Sequence, residues 1–267
     1  MLSRTRPKKS KFTLQVEKDV KALAPTKFKG KFKPEDFLRG PDQQKSQLIF
    51  LNNSMPTIRN YLARLMPANK KSTGAELFED MQKLWYESDI FDAKIVPLYW
   101  LDKQDLPFLI QNQKQLLKWV DEVENWAHAD TYCSVMARLF EHDQKNVLPT
   151  YLKWNKSKNP WHRRCSMVGT FYYARNRKTQ PGFKLAVSLV SPHFQAPEYY
   201  VQKAVGWTIR EMYNVYPQQS IDFIRKNNFQ LTPIAWVAAS EKLPKKIKEP
   251  LLKERKHSRK AEKVVRK

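Results

Sequence analysis

The spacing of its apolar residues constrains this chain most: through its middle they recur at helical intervals, and no strand-like alternation runs beyond four residues. Thr73-Gly74-Ala75-Glu76 reads as a capping box opening a helix that carries Leu77, Phe78, Met81, Leu84 and Trp85. Further helices are expected at about 90–102, 106–120, 131–142, 145–155, 160–176, 183–191 and 197–216, with Pro160 and Pro197 as first-turn residues. The links between them are short and rich in Pro, Asn, Asp and Lys, as antiparallel neighbours require. Met167-Val168-Gly169 and Ala204-Val205-Gly206 form a faint echo 37 residues apart. A period near ~40 with two helices per unit is the mark of HEAT or armadillo stacking. The expected fold is therefore all-α, an α-solenoid of HEAT-like helix pairs over residues 34–240 with a basic concave groove.

Charge limits the partner. The chain of 267 residues carries 49 Lys plus Arg against 26 Asp plus Glu, a net +23. That excess predicts a polyanion, with nucleic acid ahead of membrane. Residues 1–33 hold 11 basic and 2 acidic side chains, and residues 241–267 hold 12 and 4. The first is expected to be a basic arm, partly disordered or helical, and the second a basic tail. Such ends read as solvated, partly helical segments, and they can also grip phosphate through counterion release; the two readings are compatible. With 6 Gly and neither GxGxxG nor GxxxxGK[ST], dinucleotide and P-loop sites fall away. Two Cys and five scattered His give no zinc spacing, so neither metal nor cofactor is expected. The start lacks an apolar signal region, and no stretch of ~18 apolar residues could span a membrane. A cytoplasmic, nucleoid-associated monomer that is neither secreted nor membrane-bound is the expectation.

Three places do not suit a plain core. On the helix around residue 207, Val201, Ala204, Val205, Thr208 and Met212 make one apolar stripe, and Trp207 falls about 130° from its middle. Lys203 and Arg210 flank it. Either a neighbouring repeat covers Trp207, or it stacks on nucleic acid in a basic groove. Trp161-His162-Arg163-Arg164 puts cations in a helix's first turn, against the helix dipole. Arg164 either pairs with an acid of the preceding repeat or holds a phosphate. Trp126-Ala127-His128-Ala129-Asp130, if helical, sets Trp126 and Asp130 on one face. Asp130 is either the N-cap of the next helix or a fixed negative charge facing a cationic sugar.

Together these motifs resemble the bacterial DNA alkylation repair glycosylases of the AlkD-like, HEAT-repeat type. The likeness rests on Trp126/Asp130, on Trp161-His162-Arg163-Arg164, and on Gln202-Lys203-Ala204-Val205-Gly206-Trp207-Thr208-Ile209-Arg210-Glu211. Phe50-Leu51-Asn52-Asn53-Ser54-Met55-Pro56-Thr57-Ile58-Arg59 looks like the family's FLG-(x)-PxxR segment without its usual Gly, and Leu84-Trp85 falls at its LW pair. The similarity covers about residues 43–240. It implies hydrolysis of the N-glycosidic bond of cationic N3- and N7-alkylated purines in duplex DNA, without swinging the base into a deep pocket. It also implies catalytic roles for Asp130, Trp126 and Trp207, the two Trp touching the lesion's deoxyribose, and a backbone contact from Arg164. Arg163, Lys203, Arg210 and Trp161 join the expected DNA-binding set. His128 departs from the pattern and either tunes the carboxylate or faces solvent; the segment from Arg175 to Lys184 looks longer than the family norm. All four matched residues are kept, which implies an active DNA glycosylase. The alternatives are a non-catalytic HEAT-repeat scaffold for nucleic acid and, third, an RNA-binding scaffold; only Asp130 with its two Trp separates the first from these.

Overall fold

A computed structural model describes residues 8–27, 46, 48–68 and 74–265. Among them are fourteen α-helices and no strand beyond an isolated parallel bridge between Ile49 and Ile90. They form two compact units, divided after Leu139.

The first unit holds α1 (Lys11–Ala22), α2 (Met55–Ala68), α3 (Gly74–Glu87), α4 (Phe91–Asp102), α5 (Leu106–Gln111) and α6 (Gln113–Lys118), ending in a 3-10 turn at Trp119–Glu122. Helix α4 is its axis. Every residue from Phe91 to Leu101 is buried, so α4 has no polar face, and α1, α2 and α3 pack around it. Lys94 lies within that core; its ammonium is 3.1 Å from Glu122 and 4.8 Å above the Trp85 ring. Trp85 and Trp119 stack 5.6 Å apart, and Trp85 Nε1 donates to the Trp119 carbonyl. The basic N-terminal segment takes part in this packing. Val16 and Val20 are buried, Lys9 is paired with Glu17 and Asp89, and Glu87 accepts from Ser10 N–H and Thr13 Oγ1 at 2.7 Å each.

Helix α7 (Trp126–His142) runs across the division. The second unit continues with α8 (Gln144–Asn155), α9 (Pro160–Phe171), α10 (Phe183–Val190), α11 (Tyr199–Val215), α12 (Pro217–Lys226), α13 (Pro233–Ala239) and α14 (Lys245–Val265). Helix α11 is central here and packs on α9 and α13. The echo of Val-Gly pairs has a packing cause. A Cβ at Gly206 would lie 2.3 Å from the Ala235 carbonyl oxygen, and one at Gly169 would lie 2.8 Å from the Tyr151 hydroxyl. Each glycine is where a neighbouring element touches helix backbone. The all-α, helix-on-helix architecture expected from the periodicity is the one observed within each unit.

Several expected boundaries move. The helix placed at 106–120 breaks at Asn112, whose Nδ2 donates to the Phe108 carbonyl and caps α5. The helix placed at 131–142 starts at Trp126, because Asn125 Oδ1 accepts the His128 N–H at 2.8 Å. The helix placed at 160–176 ends at Phe171, and Tyr173 turns left-handed at φ 44°. Pro160 is a first-turn residue as expected, whereas Pro197 stands ahead of the N-cap Glu198. Thr73 of the expected capping box lies outside the described residues; α3 begins at Gly74 with Glu76 in its first turn.

Candidate functional site

In the first unit the candidate residues come from the start of α7. Trp126 and Asp130 are one helical turn apart on one face, both half-buried. Asp130 sits inside the helix, so it is not the N-cap; Asn125 has that role. His128 faces the other way, which corrects the expectation that it tunes the carboxylate or meets solvent. It is fully buried, stacked on Phe91 at 4.6 Å, with Nδ1 3.0 Å from Asn125 Nδ2 and Nε2 3.2 Å from the Phe91 carbonyl. Burial, helped by the Lys94 ammonium, pushes its pKa down to about 3. His128 is thus a neutral core residue that fixes the start of α7.

The segment before α2 shows how the departure from FLG is tolerated. Asn52, where the pattern has Gly, is left-handed at φ 64°, a region Asn enters more readily than most residues. The turn lets Leu51 and Asn53 N–H both donate to the buried Asp92 carboxylate, at 2.9 and 2.8 Å.

In the second unit α9 and α11 carry the rest. Asn159 Oδ1 caps α9 at the Trp161 N–H, and Trp161 leans on Tyr200 at 5.3 Å. Arg163 Nη2 meets Glu198 Oε1 at 2.5 Å, so the cation in this first turn has an acid beside it, from the following segment and not from a preceding repeat. Arg164 is only 6% exposed and donates from Nη1 to the Tyr200 carbonyl at 3.0 Å, tying α9 to the start of α11. On α11 the stripe Val201, Ala204, Val205, Thr208 and Met212 is buried, while Trp207 is half-buried on another face. The Arg210 guanidinium lies 5.7 Å from the Trp207 ring centre and pairs with Glu241 at 2.7 Å. Lys203 is half-buried one turn earlier.

Sequence reasoning misses two residues here. Tyr172 and Tyr173 lie beside Trp207, with centroids at 5.8 and 6.5 Å. Periodicity places them in a continuing helix; a contrary signal is the double Tyr just after Gly169-Thr170-Phe171 and ahead of a Pro-Gly loop. Trp207 is therefore covered in part by the end of α9, and the rest stays open. Among the described residues no group of three or more His, Cys, Asp or Glu could hold a metal ion, and no helix is long and apolar enough to cross a membrane.

The described residues are helical, and in the second unit they set tryptophan, tyrosine and arginine side by side, an arrangement suited to stacking on nucleic acid. The family comparison is more specific: residues 26–243 match the family described as DNA alkylation repair enzyme, and the chain belongs to that family. The match reaches further toward the N-terminus than the motifs alone. Among solved structures, the chain is similar to a predicted DNA alkylation repair enzyme from Enterococcus faecalis, at 17% identity and a TM-score of 0.60 over 74% of this chain and 90% of that one. It is also similar to AlkD2 from Streptococcus mutans, at 19% identity and a TM-score of 0.50 over 69% and 98%. At these identities the likeness is one of fold. The search of curated proteins gave no significant match.

Proposed function

We propose that this chain is a DNA glycosylase that hydrolyses the N-glycosidic bond of cationic alkylated purines, N3-alkyladenine and N7-alkylguanine, in duplex DNA. A cationic base leaves as a neutral molecule, so departure needs little acid catalysis. What the protein must supply is a stable environment for the oxocarbenium-like sugar and a placed water. Asp130 supplies a fixed negative charge against the sugar cation as it develops. Water adds at C1′ and sheds one proton, which the carboxylate is there to accept. Trp126, one turn away, offers a flat face to deoxyribose, and Trp207, beside Arg210 in the second unit, offers another to bound DNA. Arg164 holds α9 against α11, so its part in DNA binding runs through placement of Tyr200 and α11 as well as through its charge.

The observation that carries this reading is the start of α7. Helix geometry turns Trp126 and Asp130 to one partly accessible face, while His128 between them is sunk in the core. A carboxylate on a partly accessible face, one turn from a tryptophan, is what the chemistry asks for. The test is release of 7-methylguanine from methylated duplex under single-turnover conditions. Asp130→Asn is expected to lower the rate by roughly two to three orders of magnitude while affinity and melting stay near wild type. An Asn variant at the wild-type rate removes Asp130 from the chemistry. No release by wild-type protein that still binds duplex favours the non-catalytic scaffold.

A further inference from the structure

The loop after α9 is built around an exposed aromatic ring in an unfavourable backbone state. Tyr173 is 49% exposed and left-handed at φ 44°, where residues other than Gly, Asn and Asp are uncommon. The strain is held from below. The Arg177 guanidinium donates to the carbonyls of Gly169 (3.2 Å), Thr170 (2.8 Å) and Tyr172 (2.9 Å), closing the C-terminus of α9. Glu141 accepts the Lys178 and Thr179 N–H groups at 2.7 and 3.1 Å and pins the far side of the loop. Together they fix the Tyr173 ring edge-on to Tyr172 at 4.8 Å and 78° to the Trp207 plane.

Edge contacts with Tyr172 and Trp207 account for part of this ring but not for its exposed half. A turn needing a left-handed residue is served at lower cost by Gly or Asn, and half of the Tyr173 surface buries nothing. Three cations lie around it: Arg175 and Lys178 are exposed on the same loop, and Arg210 lies over Trp207, paired with Glu241 at 2.7 Å and with Glu211 at 3.5 Å. The exposed part of the Tyr173 ring, edge-on to Trp207 and near these cations, is a platform for one flat heterocycle. The heterocycle would face one ring and meet the edge of the other, with its phosphates toward the cations.

We propose that Tyr173, with Trp207, forms a stacking corner for an unstacked DNA base. This rests on the reading that the chain acts on damaged duplex DNA. Strain stored at an exposed side chain suits a ligand contact better than a structural one.

The test uses full-length protein and a duplex carrying a tetrahydrofuran abasic-site analogue with 2-aminopurine as the adjoining base, beside an undamaged duplex of the same sequence. Tyr173→Asn keeps the left-handed turn, so it is expected to melt no lower than wild type. It should bind the abasic duplex roughly tenfold more weakly and lose the quenching of 2-aminopurine, with affinity for undamaged duplex unchanged. Tyr173→Phe should behave as wild type. The proposal is overturned if Tyr173→Asn binds the abasic duplex as wild type does, or weakens both duplexes equally. It is also overturned if Tyr173→Asn melts several degrees lower, which would make the ring a packing residue, or if Tyr173→Phe fails as Asn does. Tyr173-dependent binding to structured RNA in place of duplex overturns it as well. Binding is read without excision. Failure of 7-methylguanine release with this dependence intact sinks the glycosylase reading alone, and unchanged binding with release intact sinks the stacking corner alone.

Discussion

On the first turns of α7, neighbouring side chains do opposite work, and the helical wheel explains why. At 100° per residue His128 is about 200° from both Trp126 and Asp130, so the face that presents the carboxylate must bury the imidazole. The opposition of faces lies in the spacing, but which of them is buried does not, and the sequence leaves His128 either tuning the carboxylate or facing solvent. What spacing does not show is that Asn125 starts the helix early, since an Asn before Trp-Ala reads equally well as a loop residue. The buried imidazole has a pH consequence. Folding holds His128 near pKa 3, against about 6.5 when exposed, so the unfolded chain binds the proton first. Its contribution to stability is complete above pH 6.5 and is lost progressively as pH falls toward 3; the loss at pH 5 is about 2 kcal/mol. Urea midpoints at pH 7 and pH 5 should differ accordingly, and His128→Gln should reduce the difference while lowering both. The Glu87 carboxylate acts in a separate, more acidic window. Burial works to raise its pKa, but hydrogen bonds from Ser10 and Thr13 prevail and lower it, so its share is complete above the ordinary carboxylate range and is lost as pH falls through that range to the lowered value. Equal midpoints for the wild type at pH 7 and 5 would contradict the His128 assignment.

At the scale of elements, helix existence is readable from period and helix ends are not. The break at Asn112 comes with a side chain that caps a carbonyl four residues back, and Arg177, whose contacts end α9, lies six positions downstream of its last residue. The glycine echo is visible in the sequence, but its cause lies in partners far along the chain. The two glycines should differ on substitution. Gly206→Ala drives a Cβ into backbone of α13 and should cost about 2–3 kcal/mol despite the better helix propensity of Ala. Gly169→Ala meets the end of a side chain, and adding Tyr151→Phe should restore much of its smaller loss. Denaturant melts of the three variants decide; equal costs at both glycines would contradict the contact geometry. The N-terminal basic segment also differs from a free arm over its helical part. Removing residues 1–22 strips Val16 and Val20 from the first unit and should destabilise it by several kcal/mol, seen as a lower thermal midpoint, whatever it does to DNA affinity.

Across the whole molecule, the charge excess of +23 sets how the protein meets a polyanion. Affinity for undamaged duplex should be weak and fall steeply with salt. Because both basic ends contribute helices, with Leu251 and Arg255 of α14 buried, deletion is a poor probe of their charge. Replacing the exposed Lys245, Lys246, Lys253 and Lys256 by Gln keeps α14 and removes only charge. The log–log salt slope should then fall by about 0.9 for each phosphate that is no longer neutralised. An unchanged slope would make α14 a solvated helix and nothing more. The polyanion preference and the all-α class are open to arithmetic on the sequence. The Tyr172–Tyr173 pair is not, because its position depends on a left-handed turn that period analysis does not register.

Gly206 bears on how chains of this kind are told apart. Its absent Cβ is dictated by the α13 backbone, so a relative that had ceased to cut any bond would still be obliged to spell glycine there, next to the tryptophan that makes the motif conspicuous. Gly206 thus certifies ancestry and architecture while remaining silent on competence. A survey aiming to sort working enzymes from retired ones should therefore look past the glycine motif to the proposed catalytic carboxylate, Asp130.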